Sequence, residues 1–409
     1  MGAYRLFEVF GIEIEWMIVD RISGQVWPVA DRILRDSAGA PVNERSFGPL
    51  VCSNELAAHV LEGKTPQPVA DWAAMEELFQ GGLGVAAEAL AQATDGRAAL
   101  FPGAMHPLMD PVREGILWPH GQQEIYALYN RVFDCRTHGW MNLQSVHLNL
   151  PFADEEEFAR LHSALILALP LVPALAAASP FCEGRVTGWQ STRLQVYAGN
   201  QKRFASITGS LIPEACFSAA EYAERIYAPM MKEVAPINGE GILEAEWLNS
   251  RAAIARFDRM AIEVRVIDAQ ECVRADLAVA AQLVEVVRYL CGARGPELRE
   301  AVLQWPAALL REQFMQAAQA GRGAPVVLPE WGAFWDLARP PATLGDVWRG
   351  LREEKGLRPP LPSFDQLIAD RLERGLLAER MRQDRARLSW SDLLEKGREC
   401  LRTNTPWRV

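Results

Sequence analysis

Phe10-Gly11-Ile12-Glu13-Ile14-Glu15-Trp16-Met17-Ile18 alternates with a period of two: the even positions from Phe10 to Ile18 are apolar, while Glu13 and Glu15 share the opposite face. Such alternation predicts a strand with one face on a core. The design returns in three distant stretches. Ser145 to Leu150 sets His147 and Asn149 opposite Val146, Leu148 and Leu150. Ser191 to Tyr197 sets Arg193 and Gln195 opposite Thr192, Leu194 and Val196, and Ala261 to Ile267 sets Glu263 and Arg265 opposite Ile262, Val264 and Val266. Any sheet with a wet face alternates, but ordinary wet faces carry mostly Thr, Ser and Lys. Four strands repeating Glu, His and Arg predict instead one shared functional face, with the groups that hold metals and phosphates.

One-sided alternation also selects the fold class, because parallel strands covered on both sides read as continuous apolar runs. The expectation is therefore α+β: an antiparallel sheet with helices on its apolar face. Helices are predicted over about 69–93, after Asp154 and Glu157, which have capping-box spacing, and over Ala275 to Leu290. Beyond Arg294 the chain reads as helices separated by Gly/Pro-rich loops, with no chemical motif. This divides it into a catalytic unit, 1–294, and a helical C-terminal segment, 295–409, packed on the same domain.

The 409 residues are 49% hydrophobic and 23% charged, and carry a net charge of −10. That is the composition of a soluble globular protein, and its acidity argues against a nucleic-acid partner. Seven scattered cysteines, none in a Cys-x-x-Cys pair, predict reduced thiols and a cytoplasmic location. Glu8, Glu13 and Glu15 in the first apolar stretch speak against a signal peptide. Ser163 to Phe181 lacks charge, but Pro170 and Pro173 interrupt it; it reads as a buried helix ending near Leu169, then a loop, with no membrane partner.

Glu13 and Glu15, two apart on a strand, lie within roughly 7 Å and repel unless a cation sits between them. Glu55 and Glu62 add two acids whose odd spacing requires a bend if both face one cavity. Hard oxygen donors in this number suit magnesium or manganese, with His147 as the single nitrogen ligand. Arg193 and Arg265 are the candidates for phosphate or carboxylate, unless each merely pairs with a neighbouring acid, as Arg265 would with Glu263. A phosphate loop is absent, since Gly63-Lys64-Thr65 lacks its upstream glycine, and Gly81, Gly82 and Gly84 lie in a helical context. Any ATP must be held by metals and arginines.

The ordered motifs Gly11-Ile12-Glu13-Ile14-Glu15-Trp16, Glu55 and Glu62 ahead of Thr65-Pro66, Val146-His147, Ser179-Pro180-Phe181 with Gly184, Thr187-Gly188 and Ser191-x-Arg193, and Ile262-Glu263-Val264-Arg265 with Asp268 span about residues 5 to 290. In this order they resemble the glutamate–cysteine ligase type 2 family of carboxylate–amine ligases, within the glutamine synthetase superfamily. The resemblance implies a curved antiparallel sheet of glutamine synthetase type, with helices on the convex face and a concave face that binds ATP and divalent metal. It implies metal binding by Glu13, Glu15, Glu55, Glu62, His147 and Glu263, catalytic and nucleotide-binding roles for Arg193 and Arg265, and a place for Asn149 at the nucleotide. The implied reaction activates a carboxylate, the γ-carboxylate of glutamate, as an acyl phosphate that an amine attacks, cysteine by default. Many members carry a histidine where this chain has Ser145 and a glycine where it has Asn149, which bears on substrate preference. The alternatives are a ligase for another amino acid or amine, a phosphotransferase, or a non-catalytic binding protein on the same fold. The partners implied are small amino-acid carboxylates and amines, with self-association open.

Overall fold

In the computed structural model, which describes residues 4–239 and 241–409, the opening alternation becomes a long inner strand of an eight-stranded sheet. The strands are β1 (Gly11–Asp20), β2 (Glu44–Phe47), β3 (Leu50–Asn54), β4 (Val60–Lys64), β5 (Ala98–Phe101) and β6 (Ser145–Pro151). A small hairpin, β7 (Phe181–Cys182) and β8 (Arg185–Val186), stands apart, and β9 (Ala253–Arg256) and β10 (Ala261–Asp268) complete the main sheet. Its order is β2-β3-β4-β1-β6-β10-β9, with β5 paired to the second half of β1, and every pairing is antiparallel.

Register carries the functional face across the sheet. Glu13 stands opposite Lys64 on one side and His147 on the other, Glu15 opposite Glu62, and Glu263 opposite Asn149. The even residues Ile12, Ile14, Trp16 and Ile18 are fully buried on the other face. Helix Trp72–Ala93 packs there, started by the Asp71 carboxylate, which accepts the Ala74 N–H at 2.7 Å. Gly82 makes the close approach possible: a Cβ there would run into the Leu50 side chain and lie 3.0 Å from the Phe47 carbonyl. Helix Val273–Gly292 packs beside it, with 15 of its 20 residues buried.

Helix Glu155–Ala168 begins at Asp154, whose carboxylate accepts the Glu157 N–H at 2.9 Å; Glu157 accepts the N–H of Ala153 at 2.8 Å, one residue before the cap. The chain then breaks into a short 3-10 turn, Leu169–Leu171, where Pro170 interrupts the apolar run. Among the described residues no helix is long and apolar enough to cross a membrane. Residues after 295 form further helices whose side chains enter the same core. Trp331 and Trp348 donate their indole N–H groups to the carbonyls of Leu167 (3.3 Å) and Leu171 (2.9 Å), and the buried Arg371 pairs with Glu271 at 2.7 Å.

One element departs from the alternation. Ser191 to Tyr197 reads as a strand but folds as helix Thr192–Tyr197, with Ser191 as its N-cap. The Ser191 N–H goes to the helical carbonyl of Ala318, and the Thr192 N–H to that of Ser179 in a single isolated bridge, which is not a ladder. Seven residues of alternation cannot supply a neighbouring strand, and a serine that can accept the Leu194 N–H starts a helix instead.

Candidate active site

The polar face of the sheet floors a cavity of about 480 Å3 whose lining includes Glu13, Glu15, Glu55, Glu62, His147 and Glu263. Arg193 and Arg265 line the same cavity. Asn149 stands at its border, where its amide donates to Glu13 Oε1 at 3.3 Å. Glu55 lies just past β3, and the turn into β4 returns the chain so that Glu62 faces the same space, which is the bend their spacing requires.

His147 Nδ1 is the centre of one group: Glu13 Oε2 lies 3.2 Å away, Glu263 Oε1 3.8 Å and Glu62 Oε2 3.9 Å. Glu15, Glu55 and Glu62 form a second group, with one oxygen of each within 4.8 Å of the others. Glu62 belongs to both. Its other oxygen accepts the Ser53 hydroxyl at 3.1 Å.

The electrostatics follow from crowding acids in a buried space. Burial pushes Glu55 up to about 7, helped by the Glu15 charge, and pushes Glu62 well above the usual carboxylate range, with Glu13, Glu55 and Glu15 adding to the effect. Glu13 goes the other way: burial opposes its ionisation, but the hydrogen bond and charge of His147, with Lys64 and Arg259, bring it down to about 2. His147 is correspondingly raised, because its bond to Glu13 and the charges of Glu263 and Glu15 outweigh its burial.

The two arginines are held differently. Arg265 Nε forms an ion pair with Glu263 Oε1 at 3.1 Å, leaving the end of its fork to the cavity. Arg193, 2% exposed, directs Nη1 to Asp268 at 3.3 Å and Nη2 to the Arg265 carbonyl at 2.8 Å, while its Nε has no protein partner. A bulge in β10 makes this possible. Val264 pairs with Leu148 and Ile267 with Val146, so β10 spends three residues where β6 spends two. Asp268 is thereby turned to the functional side opposite Ser145, where it also accepts the hydroxyls of Ser179 (3.1 Å) and Ser191 (3.0 Å).

Sequence reasoning missed several lining residues. Tyr126 and Tyr129 come from helix Gln123–Phe133 and stand over the sheet; with Phe133 they have the i, i+3, i+7 spacing of one helix face, a readable signal. Trp140 packs on Tyr129 at a centroid separation of 5.6 Å. Arg256, which donates to Glu263 Oε2 at 3.3 Å, was findable from the short turn between β9 and β10. The Tyr197 hydroxyl is buried in the cavity wall without a protein partner, and nothing in the sequence marks it.

Residues 9–332 match the family model described as Glutamate-cysteine ligase family 2 (GCS2). The chain belongs to that family. This family-2 protein is thus a carboxylate–amine ligase, an enzyme that forms a carbon–nitrogen bond. It is 37% identical over 283 residues to an uncharacterised protein of Archaeoglobus fulgidus, covering 68% of this chain and 74% of that one. It is 27% identical over 330 residues to a Nocardioides protein named "Putative glutamate--cysteine ligase 2-1", covering 78% of this chain and 77% of that one. Its fold is similar to that of the glutamate–cysteine ligase of Francisella tularensis, solved in complex with AMP. There the TM-score is 0.57 at 12% identity, with 98% of this chain and 90% of that chain covered. At that identity the likeness speaks for the fold alone.

Proposed function

We propose that this ligase uses ATP and Mg2+ to activate the γ-carboxylate of glutamate and joins it to an amine, cysteine by default. The observation that carries this reading is the convergence of five carboxylates and one imidazole on a single cavity floor beside the open fork of Arg265. The donor set fits hard divalent cations: carboxylate oxygens dominate, one nitrogen joins them, and no cysteine takes part. Glu13, Glu62, Glu263 and His147 would hold one cation, and Glu15, Glu55 and Glu62 a second. When bound, such cations neutralise and orient the phosphate oxygens of the nucleotide.

The protein's own groups do the rest. A γ-carboxylate oxygen attacks the terminal phosphorus of ATP, the bond to the ADP oxygen breaks, and an acyl phosphate forms. The amine nitrogen then attacks the acyl carbon, phosphate leaves with the carbon–oxygen bond electrons, and nitrogen loses a proton. The first step brings two anions together and the second releases one, so both need positioned positive charge more than a protein nucleophile. Arg265, aimed by Glu263, supplies a fork for the transferring group, and Arg193, fixed by Asp268, stands behind it. The wall of Tyr126, Tyr129 and Trp140 shields the acyl phosphate from water.

The test is ADP release with ATP and Mg2+ across a panel of amino-acid carboxylates and amines, with products read by mass spectrometry. A new amide mass accompanying ADP supports the reading and names both substrates. A stable phosphorylated product with no amine requirement replaces it with a phosphotransferase. No ADP release with any pair overturns it.

A further inference from the structure

Ser145 joins the two acidic groups of the cavity floor. It is 4% exposed, and its backbone N–H donates to Glu15 Oε2 at 2.6 Å. Its hydroxyl oxygen lies 3.1 Å from the same Glu15 oxygen and 2.9 Å from His147 Nε2. The far nitrogen of that imidazole, Nδ1, faces Glu13, Glu263 and Glu62.

A serine hydroxyl has one proton, so it cannot donate to both neighbours at once. If it donates to His147 Nε2, the neutral ring carries its proton on Nδ1, pointed at the carboxylates, and no lone pair is left there for a cation. If it donates to Glu15, its oxygen lone pair accepts Nε2–H; in the metal-free protein Nδ1 then holds a second proton against Glu13 at 3.2 Å, and a cation among the three acids would replace that proton at the Nδ1 lone pair. The second arrangement gives the charged acceptor the hydroxyl proton, the stronger hydrogen bond of the two. It also matches the general requirement that a metal-ligating imidazole donate its other N–H to an oxygen.

We infer that Ser145 is a positioning residue of the metal centre: it holds His147 as the Nε2–H tautomer, so that Nδ1 is the ligating nitrogen, and ties that imidazole to Glu15 of the adjoining group. The inference rests on the cation reading above. A purely structural serine would make the same bonds without affecting metal affinity or the proton position on the ring.

Mn2+ binding to the full-length, metal-stripped protein, read from the electron paramagnetic resonance signal of free Mn2+, separates the cases. Ser145→Ala should weaken Mn2+ affinity by about 10- to 100-fold, with an unchanged circular dichroism spectrum, and Ser145→Thr, which keeps the hydroxyl, should restore most of it. Wild-type affinity in a folded Ser145→Ala overturns the inference and leaves the cation reading standing. No Mn2+ binding by the wild type overturns both. Nitrogen-15 spectra of the wild-type imidazoles with Mg2+ give a check free of substitution: His147 should carry its proton on Nε2, and a proton on Nδ1 overturns the assignment whether or not the variants fold.

Discussion

Arg193 and Arg265 look equivalent in the sequence, two arginines on alternating stretches, yet one guanidinium is tied to Asp268 and a backbone carbonyl and the other opens into the cavity. Arg265→Lys should therefore lower the rate of ADP release by roughly a hundredfold or more, because a point charge cannot reproduce a fork against phosphate oxygens; an unchanged rate assigns Arg265 to its pair with Glu263 alone. Glu13→Ala and Glu263→Ala should each cost on the order of a thousandfold in ADP release with little loss of folding, since each removes an oxygen that faces His147 Nδ1. Full activity in both variants, with normal urea midpoints, would remove these acids from the site. Glu13, Glu15, Glu263 and His147 were legible because strand alternation places side chains without knowledge of neighbours; Glu55 and Glu62 were legible only as nearby acids whose spacing asks for a bend. The difference between the arginines was not, because it depends on which acceptor each fork meets.

At the scale of elements, alternation served where a ladder partner exists and misled where none does. β1, β6 and β10 carry their predicted faces, whereas Ser191 to Tyr197 shows the same pattern and folds as a helix begun by a serine cap. The bulge in β10 was invisible for a related reason: an extra residue in one strand exists only relative to its partner, and it is this residue that brings Asp268 round to Arg193. The helix on the apolar face allows a direct check of how tightly it sits. Alanine is the better helix former by about 1 kcal/mol, but Gly82→Ala should nonetheless destabilise the protein by roughly 1–3 kcal/mol, read as a lower urea midpoint, because the added methyl meets Leu50 and the Phe47 carbonyl. A gain in stability would show that the helix can move off β3 at little cost.

The whole molecule adds ties that join distant stretches of chain. His106 is fully buried; its Nε2–H donates to the Gly24 carbonyl at 2.8 Å and its Nδ1 accepts the Leu108 N–H at 3.3 Å, which requires a neutral ring. Burial, aided by neighbouring His59, lowers it from 6.5 to about 4. The unfolded chain therefore binds this proton below about 6.5 while the native chain refuses it until about 4, so its contribution to stability is complete above that window and is lost as pH falls through it. The stability gap between the wild type and His106→Gln should narrow by roughly 2 kcal/mol between pH 7 and 4.5, measured by urea unfolding; a constant gap would mean the native ring takes up its proton as readily as the unfolded one. The sequence by itself determined the antiparallel class, the apolar and acidic faces and the place of Glu13, Glu15 and Glu263 on the latter, because period-two side-chain direction is a local property of extended backbone. Tertiary structure alone decided which register aligns Glu13 with His147, which fork stays free, how Ser145 bridges two acidic groups and which aromatic residues roof the cavity. Each of these is a relation between segments tens or hundreds of residues apart, fixed only when a shared core sets their separation.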